Sequence, residues 1–172
     1  MNRPLVVVMG VSGSGKSTIG ALLAEALDTP FVDGDHLHPP ANVAKMAAGI
    51  PLDDADRWPW LAAVGQRLAA AGPEGLVVAC SALKRVYRDA IRVEAPHAVF
   101  VELDGAHDVL AERMRDRPGH FMPPALLDSQ LATLQPLQDD EAGMRVSAQT
   151  PPAELIADVV RRLPQASARL GD

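Results

Sequence analysis

One segment constrains the fold of this chain more than any other: Gly10-Val11-Ser12-Gly13-Ser14-Gly15-Lys16-Ser17. It follows an apolar run, residues 5–9, that has the length of a buried strand, and it precedes residues 16–27, whose apolar side chains recur at helical spacing. Glycines let such a loop turn tightly, so that successive N–H groups point inward beside a helix N-terminus. The sequence therefore predicts a phosphate-binding loop, and a chance glycine–serine turn is the less favoured interpretation.

Within this loop, the side chains predict separate roles. We expect Lys16 to reach the β- and γ-phosphates of ATP and Ser17 to ligate Mg²⁺ directly. The expected nucleotide contacts are Gly10, Val11, Ser12, Gly13, Ser14, Gly15, Lys16, Ser17 and Thr18.

Length and charge exclude several other classes of protein. The chain has 172 residues, enough for one domain, and a formal net charge of −6 without the clustered basic patch of a nucleic-acid binder. Its single cysteine, Cys80, excludes an intrachain disulfide and suits a reducing compartment. The apolar run at residues 5–9 is too short for a signal peptide or a membrane span. We therefore expect a cytoplasmic protein with no membrane or nucleic-acid partner.

Apolar runs alternate with helical patterns along the chain. Strands are expected at residues 5–9, 31–32, 76–80, 98–103 and 143–147, and helices at 16–27, 40–48, 57–71, 84–94, 106–117, from 123–124 onward and at 154–163. We expect a single domain over residues 1–163 and a frayed tail over 164–172. Such alternation predicts a parallel sheet covered on both faces, with ligands at the carboxyl ends of its strands. Gly10, Asp33 and Ser81 follow the first three strands, which indicates one shared site.

The segment Asp33-Gly34-Asp35 places two carboxylates at a strand end. One of them can orient magnesium-bound water while the other takes the proton of a substrate hydroxyl. The alternative is an ordinary acidic loop, because Asp and Gly are common turn formers. His36 and His38 follow, but two histidines two positions apart lack the further ligands of a zinc site. Contacts with substrate or solvent are the favoured interpretation for them.

Basic residues further along the chain predict recognition of an anionic substrate. The planar guanidinium of Arg57 suits a carboxylate, although Asp54 or Asp56 could cap the helix there and pair with Arg57 instead. Lys84 and Arg88, beside the N–H groups of a new helix, could hold the same acid group or be solvated basic residues. Cys80 is expected to be a small buried residue and not a nucleophile.

Two arginines precede a glycine–proline break. Arg113 and Arg117 lie on one expected helical face that leads into residues 117–120. Arginines beside such a loop suit a lid, about residues 117–124, that closes over ATP, with Arg117 stabilising the transferring phosphoryl group. Local pairing with Glu112 and Asp116 is the alternative.

Several runs of residues resemble the signature of the gluconokinase family. The longest reads Asp33-Gly34-Asp35-x2-His38-Pro39-x2-Asn42-x2-Lys45-Met46-x2-Gly49-x-Pro51-Leu52-x-Asp54-x-Asp56-Arg57-x2-Trp60-Leu61. The others are Cys80-Ser81-Ala82-Leu83-Lys84-x2-Tyr87-Arg88-Asp89, Gly119-His120-Phe121-Met122, and Gln130-x2-Thr133-Leu134 followed by Asp139-Asp140-Glu141. The resemblance extends over about residues 5–163. It departs from the family at Gln135-Pro136-Leu137-Gln138, where members often carry acidic residues and where Pro136 should end a helix.

This resemblance implies an activity and a fold. Members of the family transfer the γ-phosphate of ATP to the 6-hydroxyl of D-gluconate, and they are commonly homodimers. Their fold is a three-layer α/β P-loop NTPase fold like that of nucleoside monophosphate kinases and shikimate kinase. It implies a five-stranded parallel sheet in the order 2-3-1-4-5.

The relationship to shikimate kinase also implies residue roles. Asp33 would lie near Mg²⁺ through water, Asp35 near the accepting hydroxyl, and Arg57 at the substrate carboxylate. Arg113 would lie beside adenine, Arg117 in the lid, and the turn Gln149-Thr150-Pro151 would flank adenine. The remaining substrate contacts expected are His38, Ser81, Lys84, Arg88 and His120.

Two rival functions are left open by the sequence. A shikimate kinase is disfavoured because the glycine triplet expected after the third strand is absent. A switch protein that hydrolyses ATP without a small acceptor would turn over ATP independently of any sugar acid.

Overall fold

The computed structural model describes residues 2–105, 109–110, 112, 124–168 and 170. Its strands are β1 Leu5–Met9, β2 Phe31–Asp33, β3 Leu76–Ala79, β4 Val99–Asp104 and β5 Gly143–Ser147. Its α-helices are α1 Lys16–Leu27, α2 Pro40–Ala47, α3 Asp54–Ala69, α4 Arg85–Glu94, α5 Pro124–Thr133 and α6 Pro152–Ala168. Short 3₁₀ helices span Gly34–Leu37 and Gly72–Glu74.

The five strands form one parallel sheet in the order β2-β3-β1-β4-β5, as predicted. β1 lies at its centre, and Val7 pairs with Val78 of β3 on one side and with Phe100 of β4 on the other. Parallel strands point their carboxyl ends to one edge, so the loops after β1, β2 and β3 begin side by side.

Both faces of β1 are buried, which explains its continuous apolar run. Val6 and Val8 belong to a core cluster that includes residues of α1 and α6. Val7 and Met9 belong to a second cluster that includes residues of α3 and α4. A smaller cluster, here called the satellite core, consists of Val11, Leu83, Leu110 and Leu127, with Leu131 and Leu134 packed against it.

Helix α3 begins three residues earlier than the sequence predicted, and its cap differs from the expected one. Asp53 is the N-cap: its side chain accepts a hydrogen bond from the N–H of Asp56, and the Asp56 side chain accepts one from the N–H of Asp53. This reciprocal pair is a capping box. The capping acid is therefore Asp53, and Asp56 reinforces it.

The predicted frayed tail is wrong for residues 164–168. α6 continues through Pro164 to Ala168, and Ala166 is buried in the core cluster shared with α1. Proline removes one helical hydrogen bond, but burial of apolar side chains on both sides of Pro164 offsets that loss. The predicted helix over residues 106–117 lies mostly outside the described residues, of which 109, 110 and 112 are helical. No helix in the described ranges is both long and apolar enough to cross a bilayer.

Candidate active site

The phosphate-binding loop connects β1 to α1 through backbone that only glycine adopts readily. Gly15, the residue before α1, has φ 92°, in the left-handed region. The N–H of Gly10 donates to the carbonyl of Ser81 at 3.3 Å, and the ammonium of Lys16 donates to the carbonyl of Val11 at 3.1 Å. The loop is thus tied directly to the segment that follows β3.

Asp33 connects the end of β2 to the first turn of α1. Its Oδ2 accepts a hydrogen bond from the Ser17 hydroxyl at 3.0 Å, and its Oδ1 accepts one from the N–H of Asp35 at 3.0 Å. A hydroxyl and a carboxylate are oxygen donors, the type that Mg²⁺ prefers. In the described part of the chain, no cluster of three or more His, Cys, Asp or Glu side chains could hold a metal. This pair therefore fits a magnesium ion that takes its other ligands from phosphates and water.

Gly34 permits the two aspartates to approach the end of β3. A Cβ at this position would lie 2.5 Å from the carbonyl oxygen of Ala79, closer than real contacts allow. The Gly34 carbonyl in turn accepts a hydrogen bond from the indole Nε1 of Trp60 at 2.8 Å. The 3₁₀ turn that carries Asp35 is consequently fixed between β3 and α3.

His38 lies beside this turn and stacks on Trp60, with ring centroids 4.2 Å apart and an interplanar angle of 16°. Burial lowers the pKa of His38, the charge of Asp35 opposes that effect, and Arg57 lowers it further. The Nδ1 atom of His38 lies 3.2 Å from the side-chain nitrogen of Asn42. The unprotonated Nδ1 of a neutral ring can accept a hydrogen bond from that amide. The lowered pKa and the contact with Asn42 both favour the neutral form of His38, whose ring is influenced by the charges of Asp35 and Arg57.

Cys80 is buried at the end of β3, close to Gly34. Burial raises the pKa of its thiol to about 12; Asp35 and Asp33 add to this effect, and Lys16 opposes it. A thiol with this pKa is not a nucleophile at neutral pH. The prediction that Cys80 is a small buried residue is confirmed.

Arg57 and Lys84 both lie over the ring of Tyr87. The Arg57 guanidinium carbon is 5.6 Å and the Lys84 ammonium 5.5 Å from the ring centroid. The Tyr87 hydroxyl donates to Asp54, and Arg57 Nη1 lies 3.4 Å from both Tyr87 Oη and Asp54 Oδ1. Arg57 does pair with Asp54, but the distance is long and a third of the side chain stays exposed. Two cations beside one aromatic ring can receive a carboxylate.

Arg88 does not belong to this group, which corrects the expectation that it contacts substrate. Its side chain is 0 % exposed and donates to both carboxylate oxygens of Glu141, at 2.8 and 2.9 Å. It also donates to the carbonyl of Ala82 at 3.0 Å. This role was not predicted because nothing in the local pattern of α4 indicates a buried acid 53 positions later. Residues 81–84 are here called the acceptor loop. Arg88 stabilises this loop through its hydrogen bond to the carbonyl of Ala82.

A cavity of about 460 Å³ opens at the carboxyl ends of β4 and β5, lined by Asp104, Gly105, Arg145, Val146, Ser147 and Gln149. Arg145 donates to Glu102 and, at 3.1 Å, to Asp104. The turn Gln149-Thr150-Pro151 contributes Gln149 to the lining of this cavity. Arg145 was not predicted as a site residue. It lies two residues before Ser147 on β5, so both side chains point to the same face of the sheet.

Arg113, Arg117 and His120 lie outside the described residues, as does most of the expected lid. A further residue of the site, Tyr87, was missed by sequence reasoning, because no charge or spacing rule singles out a tyrosine as the partner of an arginine on another helix. The pairing of Arg57 with Asp54 was an alternative that the sequence left open, and the structure contains it at 3.4 Å.

A phosphate-binding loop after β1, an acid pair after β2 and basic residues after β3 of a parallel sheet define a P-loop kinase of a small molecule. Comparison with known proteins agrees: the family model for shikimate kinase matches residues 12–163. At higher similarity, the chain is 48% identical to a gluconokinase from Gluconobacter oxydans (strain 621H), over 91% of this chain and 89% of that protein. The chain belongs to the gluconokinase family.

Two further relatives support this assignment. A gluconokinase from Escherichia coli (strain K12), described as thermosensitive, is 48% identical over 78% of this chain and 73% of its own length. The crystal structure of a gluconokinase from Sinorhizobium meliloti 1021 superimposes with a TM-score of 0.87 at 51% identity, covering 98% of this chain and 95% of that one.

Proposed function

We propose that this kinase transfers the γ-phosphoryl group of ATP to the 6-hydroxyl of D-gluconate, giving 6-phospho-D-gluconate and ADP. The observation that supports this most is the contact between Ser17 and Asp33, because it joins the phosphate-binding loop to the acid pair after β2. The gluconokinases to which the chain is similar supply the identity of the acceptor.

The nucleotide side of the reaction uses residues 10–18 and the cavity beside β4 and β5. Backbone N–H groups of the loop and the N-terminus of α1 would hold the phosphates, and Lys16 would offset negative charge that develops in the transition state. Ser17 would hold Mg²⁺ directly and Asp33 through water; the ion, when bound, withdraws charge from the phosphate oxygens. The cavity, which Gln149 lines, would receive adenine, and Pro151 and Arg113 are further proposed contacts of the nucleotide.

Asp35 is the proposed base. The 6-hydroxyl oxygen bonds to the γ-phosphorus while the bond from phosphorus to the β–γ bridging oxygen breaks, and the hydroxyl proton passes to the Asp35 carboxylate. Its exposed position at the end of the acid pair, tied to Asp33 through its own N–H, supports this role. Arg117, by resemblance, would reach the transferring group from the lid.

Arg57 and Lys84 are the proposed partners of the gluconate carboxylate, and each contacts the ring of Tyr87. The buried ion pair of Arg88 leaves Lys84 as the cation of α4's N-terminus that faces the site. His38, Ser81 and His120 complete the proposed substrate contacts. Because an unpaired cation in a closed site is costly, neutral sugars should be poor substrates.

We further propose that the enzyme is a homodimer of the cytoplasm. Val43, Met46 and Ile50, on and just after α2, are about half exposed, and contact with a second subunit would cover them. An unpaired cysteine suits a reducing compartment. Light scattering of the purified protein tests the oligomeric state, and a single monomer mass would contradict the dimer.

The decisive experiment measures ATP consumption against gluconate, glucose, shikimate, glycerate and nucleoside monophosphates. Gluconate should be preferred by a large factor; equal rates on glucose and gluconate would contradict carboxylate recognition. Shikimate is included because the family model carries that name. Replacing Asp35→Asn should lower kcat by roughly 100-fold or more with little change in ATP affinity. Asp89→Asn, an exposed acid on α4, is the matched control and should leave kcat unchanged.

A further inference from the structure

Helix α5 contacts the phosphate-binding loop through one glutamine. The side-chain oxygen of Gln130 accepts a hydrogen bond from the N–H of Ser12 at 2.7 Å, across 118 positions of sequence. Lys16 and the carbonyl of Val11 lie on the same loop, and Val11 packs in the satellite core with Leu127 of α5. The helix therefore holds the loop by both a polar and an apolar contact.

Just after α5, a second glutamine makes the corresponding contacts with the acceptor loop. The N–H of Gln135 donates to the carbonyl of Leu83 at 2.7 Å. Its side-chain oxygen accepts from the N–H of Arg85, the first residue of α4, at 2.9 Å. Lys84, the N-cap residue, provides no side-chain cap of its own in the described contacts. Gln135 thus caps α4 from a distant part of the chain.

The acceptor loop needs this support because its backbone is strained. Ala82 has φ 43°, a left-handed conformation that is uncommon for a residue other than glycine. Three carbonyls of this loop accept hydrogen bonds. The carbonyl of Ser81 accepts from the N–H of Gly10, that of Ala82 from the side chain of Arg88, and that of Leu83 from the N–H of Gln135. The loop that presents Lys84 is therefore fixed relative to the phosphate-binding loop.

We propose that Gln130 and Gln135 are positioning residues that set the separation between the phosphate-binding loop and the acceptor loop. The proposal rests on the kinase function proposed above, since only a transfer between two bound substrates needs that separation. In-line transfer requires reacting atoms about 3–3.5 Å apart, and a misplacement of about 1 Å can cost roughly 100-fold in rate. Neither glutamine needs to touch a reacting atom to affect the rate in this way.

The test replaces each glutamine by leucine, which has a similar size and no acceptor. Gln130→Leu and Gln135→Leu should each lower kcat about tenfold or more while the KM values for ATP and gluconate change less than about threefold. ATP hydrolysed per gluconate phosphorylated should rise. Gln138→Leu is the matched control: it lies three residues from Gln135, and its side chain contacts Arg85 at the surface. It should leave all of these values unchanged.

A conservative replacement separates positioning from general structural damage. Gln135→Glu keeps an oxygen that can accept from the N–H of Arg85 and adds a negative charge at a helix N-terminus, so kcat should stay near wild type. Thermal unfolding is measured first, and a leucine variant that does not fold is replaced by methionine. Unchanged kcat in the two leucine variants, or a rise in both KM values at constant kcat, would overturn the proposal.

Hydrogen exchange tests the connection without any substrate. In Gln130→Leu, amide exchange should accelerate in residues 81–85 as well as in 10–17, and in Gln135→Leu it should accelerate in 10–17 as well as in 81–85. Effects confined to the mutated side would overturn the proposal. If wild-type enzyme does not phosphorylate gluconate, the proposed function fails alone, and these exchange rates still decide whether Gln130 and Gln135 connect the two loops.

Discussion

Arg88 and Glu141 form an ion pair that is completely shielded from solvent, with Nε–Oε1 and Nη2–Oε2 distances of 2.8 and 2.9 Å. Arg92 donates to the same carboxylate at 2.7 Å, and so does the N–H of Gln138 at 2.8 Å. The pair fastens the segment between α5 and β5 to α4. Because Arg88 also supports the carbonyl of Ala82, this single contact connects the stability of the domain with the shape of the acceptor loop.

Removing the acid of this pair should be strongly destabilising. Glu141→Gln leaves the Arg88 guanidinium buried without a counter-charge, so the free energy of unfolding should fall by about 3–5 kcal/mol. Urea denaturation measures it. Asp140→Asn is the control: Asp140 pairs with Arg85, but its side chain is 69% exposed, and the change should stay below about 1 kcal/mol. Equal losses in the two variants would show that burial of the pair does not matter.

The same carboxylate should make stability depend on acid. Burial alone would raise the pKa of Glu141, but hydrogen bonds from Arg88, from the Gln138 N–H and from Arg92 outweigh burial and lower it from 4.5 to about 2. A carboxyl whose folded-state pKa is depressed contributes stability in full above its unfolded pKa, and loses it as the pH falls through the folded pKa. Unfolding free energy should therefore drop by about 3 kcal/mol between pH 4.5 and 2 through this group. The Glu141→Gln variant should show a shallower slope in that window.

Tyr87→Phe should affect gluconate and spare ATP. Burial, and then the bond to Asp54, raise the pKa of Tyr87, so the hydroxyl stays protonated and donates to that acid. Its loss leaves Asp54 free to draw Arg57 away from the substrate. The KM for gluconate should rise about fivefold to tenfold, as expected for one lost hydrogen bond near a charged group, while the KM for ATP serves as the internal control. A parallel rise in both KM values would argue against this placement of Arg57.

The thiol of Cys80 should resist alkylation in the folded protein. Its pKa of about 12 leaves little thiolate at pH 8, and its side chain is buried. Iodoacetamide followed by intact-mass measurement should show no adduct under native conditions and one adduct in guanidinium chloride. Rapid labelling of the native enzyme would contradict the burial of this residue.

The last turns of α6 should contribute to stability. Ala166 is 4% exposed, whereas its neighbour Gln165 faces solvent. Ala166→Glu should lower the free energy of unfolding by at least about 2 kcal/mol, because it buries an unpaired charge. Gln165→Glu places the same side chain at the surface and should change it by less than about 0.5 kcal/mol. If residues 164–168 frayed from the core, both variants would behave alike.

Periodicity and turn chemistry predicted most of the fold. The apolar runs of β1, β3 and β4 were predicted to within a residue or so at each end, because a strand buried on both faces has few polar side chains to obscure it. The strand order came from resemblance, since local patterns carry no information about which strands are neighbours. The predicted start of α3 was wrong because the capping box of Asp53 and Asp56 begins the helix at Asp54. The predicted end of α6 was wrong because burial of Ala166 keeps the chain helical beyond Pro164.

The candidate site was predictable where its chemistry is local in sequence. The loop at residues 10–17 and the acid pair at residues 33 and 35 are contiguous motifs, and the structure brings them together. Arg88 was assigned to the substrate because its partner Glu141 lies far along the chain. The contacts of Gln130 and Gln135 have the same character: a neutral side chain that bonds to backbone leaves no pattern of charge or spacing to detect.

The order of the strands divides the site into two halves on either side of β1. Asp33 and the acceptor loop follow β2 and β3 on one side, and the cavity beside Gln149 opens after β4 and β5 on the other. Side chains on the β2–β3 side that make no contact with the phosphate-binding loop can therefore vary without changing the cavity beside β4 and β5, whereas Asp33 and Ser81 are bonded to that loop. Kinases that share this fold can thus differ in their acceptor, and this chain both matches a shikimate kinase model and is nearly half identical to gluconokinases.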